Sequence, residues 1–344
     1  MTDACVYVVL LNWNGWRDTI ACLESLFASH HSRLRVVVCD NASSDDSLER
    51  IVAWAEGGQA PQRPDQARLS RLLRAEQEPV PFERLDRAAA ESGSCKTAGP
   101  LVLIDNGANL GFAAGNNVGL RFALAQEEMD YVWLLNNDTL VEPDCLGNML
   151  LRLADSLPQA VCGSVIHFFD QPEIIQAVGG NRFNHMTGCA ARSEGRFTHE
   201  RTILDIARIE SELDYLSGCS MLLPRDFLEQ VGLMSEEYFL YYEEIDWFTR
   251  AAGRYSLRIA TDAHLYHREG SAIGSRSLHR PASTLSDFHM FRSRLIYMRK
   301  YCLRFLGVCY ADSWVEVAKR LLRGQYRNAW TVGRVLLGRH PVDG

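Results

Sequence analysis

At 344 residues, with 47% hydrophobic and 23% charged side chains, the chain has the composition of ordinary globular material and room for one large domain with an appendage. Its ten cysteines are scattered singly with no CxxC pair, which disfavours a disulfide framework and favours a reduced compartment. No run approaches the ~18 apolar residues that span a bilayer, so a cytoplasmic protein with at most peripheral membrane contact is expected. The net charge of -7 hides an asymmetry: residues 289–344 hold eleven Lys/Arg against three Asp/Glu, or +8, which leaves -15 on residues 1–288.

In chain order, ACVYVVLLNW reads as a buried strand, too brief for a signal peptide, ending in the polar NWNG. WRDTIACLESLFAS follows with Ile20, Leu23, Leu26 and Phe27 at helical spacing. LRVVVCDNASSDDS is a second buried strand with a polar end, and SLERIVAWA a second helix. Apolar strands alternating with helices predict a mostly parallel sheet covered on both faces, the α/β class. Residues 56–99, charged and punctuated by Gly and Pro, read as a polar surface insertion. PLVLIDNGANLGFAAGNNVGLRFALAQ resumes as strand, glycine-rich turn and helix; DYVWLLNNDT is a further strand. Beyond about residue 160 shorter strands mix with helices, and past about residue 286 the chain is helical and basic. A catalytic domain over 1–285 and a helical segment over 286–344 are the expected divisions.

In an open parallel sheet, ligands gather at the carboxyl ends of the strands. Four strands here end in side chains suited to a nucleotide: Asn12 and Asn14, then Asp40, then the turn holding Gly111, Gly115 and Gly119, then Asn136, Asn137 and Asp138. Turn chemistry alone accounts for any one of these ends, but less readily for all four. The glycine spacing departs from GxGxxG and disfavours a dinucleotide fold. Asn136 and Asp138 lie two residues apart and can face the same way. A carboxylate there suits Mg2+ or Mn2+, which need few protein ligands when a diphosphate supplies the rest. Glu243, Glu244 and Asp246 fall within one helical turn; they satisfy the helix dipole, and one of them could serve as a general base. His267, after a strand, could complete the metal site, with His264 the weaker candidate.

Taken together, LLNWNG, VVVCDNASSDDS, NLGFAAGNNVG, LLNNDT, YFLYYEEIDWFTRAAG and YHREGS resemble, in order over about residues 5–275, the family 2 glycosyltransferases of GT-A fold, in particular their bacterial rhamnosyltransferase-like branch. The resemblance implies nucleotide contacts at Asn12, Asn14, Asp40, Gly111, Asn117 and Asn136. It implies metal contacts at Asp138 and His267, with Asn136 replacing the first acid of the family's D-x-D. It puts Glu244, second of the pair usually written Glu-Asp, as the base. The implied reaction is inverting transfer from a nucleotide-diphosphate sugar, first of all dTDP-L-rhamnose, to a saccharide or polyprenyl-diphosphate-linked acceptor in cell-surface polysaccharide synthesis. A sugar-nucleotide-binding protein without turnover and a nucleotidyltransferase are the rival readings.

The stretches 291–306 and 315–338 combine apolar positions with Arg and Lys at helical spacing. They suit either the anionic inner face of a cell membrane, or a helical cap or homo-oligomer contact; the acidic remainder argues against nucleic acid.

Overall fold

The computed structural model describes residues 3–339 apart from 77, 96–98, 157–158, 192–193, 252 and 269–281. The chain begins with β1 (Val6–Asn12), α1 (Trp16–Phe27), β2 (Leu34–Asp40) and α2 (Ser47–Ala55). It continues through α3 (Ala67–Ser70), β3 (Phe82–Asp86), α4 (Arg87–Glu91), β4 (Leu101–Asp105), α5 (Gly111–Leu124), β5 (Tyr131–Asn136), β6 (Thr139–Val141) and α6 (Cys145–Ala154). A second half follows: β7 (Ala160–Phe168), β8 (Ile175–Val178), β9 (Gly180–Asn184), β10 (Cys189–Ala191), α7 (Ile206–Glu212), β11 (Tyr215–Leu216) and β12 (Ser220–Pro224). Then come α8 (Arg225–Val231), α9 (Glu243–Ala251), β13 (Ser256–His267), α10 (Thr284–Tyr301), α11 (Leu306–Leu322) and α12 (Tyr326–Leu336).

β1 and β2 are apolar at nearly every position because both faces of the sheet are covered. Val6, Val8, Leu10, Val36 and Val38 pack with Ile20, Leu23, Ile51 and Trp54 of α1 and α2 on one side. Tyr7, Val9, Val37 and Cys39 pack with Val118, Leu120 and Phe122 of α5 on the other, as alternation along a strand requires. The glycines of the NLGFAAGNNVG turn belong to this packing. A Cβ on Gly115 would come 2.7 Å from Leu11, and one on Gly119 would come 2.8 Å from Val9, so their absence lets α5 settle onto β1 and β2.

Five strands in the order β3-β4-β2-β1-β5 run parallel. On the far side of β5 the sheet turns antiparallel through β12, β7, β8, β9 and β10, while β13 pairs parallel to β7 and antiparallel to β6. Residues 56–99 are more than a surface insertion. They supply the edge strand β3, and Leu69, Leu72, Leu73, Val80 and Ala90 are buried.

The basic C-terminal stretch is also partly integral. Phe291, Leu295, Tyr297 and Met298 of α10 share the hydrophobic cluster of α5 and α9, so α10 is a cap packed on the sheet domain. α11 and α12 pack on α10 and on each other.

Candidate active site

The register aligns the polar strand ends. Asn12 of β1 stands opposite Asp40 of β2, Leu11 opposite Asn136 of β5, and Asp40 opposite Asp105 of β4, so the parallel half presents one continuous rim. Because β12 is antiparallel to β5, its beginning arrives where β5 ends: the Asn136 amide donates to the Cys219 carbonyl at 3.0 Å. β13 brings His267 to the same corner, opposite Thr139 of β6.

At that corner Asp138 and His267 meet. His267 Nε2 lies 3.1 Å from Asp138 Oδ1 and 3.4 Å from Asn136 Nδ2, and Nδ1 lies 3.0 Å from Gln176 Oε1. Gln176 can accept the Nδ1 proton, leaving Nε2 directed at Asp138. Burial works against charge on this ring, but its contacts to Cys219 and to the Asp138 carboxylate outweigh burial and raise its pKa well above the ordinary histidine value.

The donor set fits a divalent ion. Two ligands at adjacent octahedral positions, each about 2.1 Å from an ion, are separated by roughly 3 Å, close to the observed oxygen-to-nitrogen spacing. Among the described residues no three His, Cys, Asp or Glu are grouped to hold a metal. An ion at Asp138 and His267, with Asn136 alongside, would therefore take its remaining ligands from water and substrate oxygens.

The acidic helix reaches the same place from the other side of β12. Gly218 is so placed that a Cβ there would lie 3.8 Å from the Glu244 carboxyl carbon and 4.0 Å from Phe112, while its neighbour Cys219 touches His267. One dipeptide thus separates the carboxyl of Glu244 from the Asp138–His267 corner, adjacent Cα atoms being about 3.8 Å apart. Glu244 is half-buried, and burial pushes its pKa up to about 7. Glu243 is buried with Oε2 lacking any hydrogen-bond partner; burial and the adjacent Glu244 raise its pKa well above the ordinary carboxylate value.

The backbone leading into α9 is strained. Tyr241 and Tyr242 have φ of 66° and 75°, a left-handed region costly for aromatic residues, and the phenol groups anchor it by bonding to Ser286 Oγ and the Gly188 carbonyl.

Other residues expected to act here are otherwise engaged. Asp246 points away from Glu244 into the protein, where Arg250, Tyr238, Lys300 and Tyr301 all donate to it. Burial alone would raise its pKa, but Arg250, Lys300 and Tyr301 lower it, so Asp246 is a structural anion and no base. Asn117 is buried on α5, where both amide hydrogens go to Met234 and Glu236 and its oxygen accepts from the Met234 amide, a structural set of bonds. Asn12, fully buried, donates to Asp40 and Ser43 and accepts from Thr19 and Asn137. It positions Asp40. Asn14 accepts from the Ser44 and Asp45 amides and closes that turn. Gly111, at φ +80°, must be glycine because a Cβ would strike the Phe239 carbonyl at 2.3 Å, a packing reason independent of any ligand. Asp40, buried at the end of β2, accepts from Asn12 and from the Ser43 amide and hydroxyl, leaving roughly one lone pair unused. His264 pairs with His167, whose pKa burial lowers to about 4, and takes no part in the metal corner. The YHREGS motif beyond Arg268 lies outside the described residues.

Cys219, Gly218 and Gln176 escape sequence reasoning. None sits at the end of a parallel strand, and only the antiparallel return of β12 and β8 brings them in.

Comparison with known proteins bears on the fold. Residues 90–232 match the model of glycosyl transferase family 2, a stretch that includes Asp138 but not Asp40, Glu244 or His267. Over 150 residues the chain is 27% identical to the low-salt glycan biosynthesis hexosyltransferase Agl10 of Haloferax volcanii, covering 43% of this chain and 45% of that protein, less than half its length. Among solved structures, GalNAc-T7 with UDP, GalNAc and Mn2+ superposes with a TM-score of 0.55 at 11% identity, over 90% of this chain and 50% of that one. The mannosyltransferase PcManGT from Pyrobaculum calidifontis, in complex with GDP-Man and Mn2+, gives 0.50 at 15%, over 97% and 85%. The architecture is therefore of GT-A type, and it carries a glycosyl transferase family 2 match over residues 90–232.

Proposed function

We propose that the protein is an inverting glycosyltransferase that moves a sugar from a nucleotide-diphosphate donor to an acceptor hydroxyl. The observation that carries this reading is the meeting of Asp138, His267 and Asn136 at one end of the Gly218–Cys219 dipeptide with Glu244 at the other. The complexes of the structural neighbours, with UDP and GalNAc and with GDP-Man, support a nucleotide sugar as the ligand class.

In this reading Asp40, held by Asn12 and Ser43, receives the nucleoside, and Asp138 with His267 and Asn136 would hold Mg2+ or Mn2+ at the diphosphate end of the site. Such an ion, when bound, would supply positive charge against a departing diphosphate. Glu244, with a pKa of about 7, is ionised in a large fraction of molecules at neutral pH and takes the proton of the acceptor hydroxyl as that oxygen attacks the anomeric carbon. Burial and the neighbouring Glu244 raise the pKa of Glu243 beside it, which disfavours a second negative charge there. One in-line displacement needs no covalent intermediate, and the anomeric configuration inverts.

The donor to try first is dTDP-L-rhamnose, on the strength of the sequence motifs, followed by UDP and GDP sugars. The acceptor class is a saccharide or lipid-linked saccharide of a surface glycan, which places the reaction in the cytoplasm at the inner face of the membrane. Release of nucleoside diphosphate from a donor panel, with acceptor present and with Mn2+ or EDTA, tests the reading. Metal-dependent release is expected; donor binding without release in any metal or acceptor would instead favour a sugar-nucleotide-binding protein.

A further inference from the structure

α11 turns its apolar side outward. Its buried face is the short series Cys309, Ser313 and Val317, packed on α10 and α12. The exposed positions Gly307, Val308, Ala311, Trp314, Val315, Ala318, Leu321 and Leu322 form a stripe about 140° wide at 100° per residue, with no charged residue in it. α12 repeats the arrangement: Tyr326, Trp330 and Leu337 stand out on one side, each more than 60% exposed, as Leu322 is at 89%. Trp314 reaches to 4.0 Å from the Cβ position of Gly333, so the two apolar faces adjoin and form one surface.

This surface is edged by positive charge. Arg323 and Arg327 are exposed and make no ion pair among the described residues, and Arg304 precedes α11 beside the exposed Leu303. Arg294, Lys300, Lys319 and Arg320 of the same segment are instead paired within the fold with Asp312, Glu237 and Asp246, Glu316, and Asp287. Arg323 and Arg327 thus leave positive charge at the edge of the apolar face. No helix among the described residues is long and apolar enough to cross a membrane, so the hairpin can only lie along one.

We infer that the outer face of the α11–α12 hairpin docks on an anionic lipid bilayer, with Trp314, Leu321, Leu322 and Trp330 entering the headgroup–acyl boundary and Arg323 and Arg327 contacting lipid phosphates. Charge complementarity selects lipid over a second copy of the chain. Two copies would bring their arginine rims together, whereas an anionic leaflet neutralises them, and tryptophan and tyrosine are the aromatic residues suited to that boundary. This surface is independent of the transfer reaction, because none of its residues touches the Asp138–Glu244 corner.

Vesicle flotation of the full-length protein tests it, with phosphatidylglycerol–phosphatidylcholine vesicles set against phosphatidylcholine alone. Flotation with the anionic vesicles is expected, weakening as salt is raised. Arg323→Gln and Arg327→Gln should each lower partitioning about fivefold, and Leu322→Ser with Trp330→Ser should lower it by at least tenfold. Circular dichroism and the donor-induced thermal shift should stay unchanged, since these side chains are exposed. Failure to float on anionic vesicles, or flotation indifferent to these substitutions, overturns the inference. So does a stable dimer in sedimentation that Leu322→Ser with Trp330→Ser disperses, because the face would then belong to a second copy.

Discussion

The rim formed by β1 and β2 and the first turn of α9 are both crowded with polar side chains, yet they differ in one respect. Around Asn12 and Asp40 the donors and acceptors are nearly all matched, through Thr19, Ser43, Asn137 and each other. At Glu243 and Glu244 two adjacent carboxyls, one buried with an oxygen lacking a partner and one half-buried, have raised pKa values behind two tyrosines in left-handed geometry. A matched network holds a shape; an unmatched pair retains proton affinity. Asp246 makes the same point within one helix, since it lies two residues from Glu244 and four donors satisfy it.

The contrast can be broken by substitution. Glu244→Gln removes the base without changing shape, so turnover should fall by about 10²–10⁴-fold in a nucleoside diphosphate release assay. Retained turnover would mean that the base lies elsewhere. Gln176→Ala, which frees Nδ1 of His267, should weaken Mn2+ binding by about 10-fold while leaving the unloaded fold intact, as read by Mn2+ electron paramagnetic resonance. Unchanged affinity would remove His267 from the ion's ligands.

The matched acids should respond in stability instead. Asp246→Asn, which loses a buried anion facing Lys300 and Arg250, should cost about 2–3 kcal/mol in denaturant unfolding, with turnover of the folded fraction preserved.

Smallest is the pH effect. The folded-state pKa of Glu244 lies above its unfolded value, so the native protein binds that proton more tightly. The resulting penalty is absent below about pH 4.5, grows as pH rises, and is complete above about pH 7. Glu244→Gln should therefore raise the melting temperature by a few degrees at pH 8 and leave it unchanged at pH 4. Wild-type turnover, by the same ionisation, should climb through pH 7.

Much of this was legible in the chain. The alternation of apolar strands with helices yields the parallel half, and the N-x-D at residues 136–138 with His267 marks the corner where those side chains meet at 3.1 Å. What could not be read depends on residues distant in sequence. Asp246 looked like a companion of Glu244 because its partners Lys300 and Tyr301 lie more than fifty residues downstream. Asn117 carried the right residue type, but its partners Met234 and Glu236 come from a loop beyond α8. The edge strand β3, FERLD, was concealed because a half-exposed edge carries charges on its open side and reads as surface chain.

The unity of the site can be measured by calorimetric titration of a nucleotide-sugar donor, with Mn2+ present, into wild-type, Asp138→Ala and Glu244→Gln proteins, beside a turnover assay of each. Glu244→Gln should bind donor within about threefold of wild type and turn over almost nothing, while Asp138→Ala should lose the metal-dependent part of binding. Donor binding that ignores Asp138, or turnover that survives Glu244→Gln, would contradict a single site built from the two strand halves.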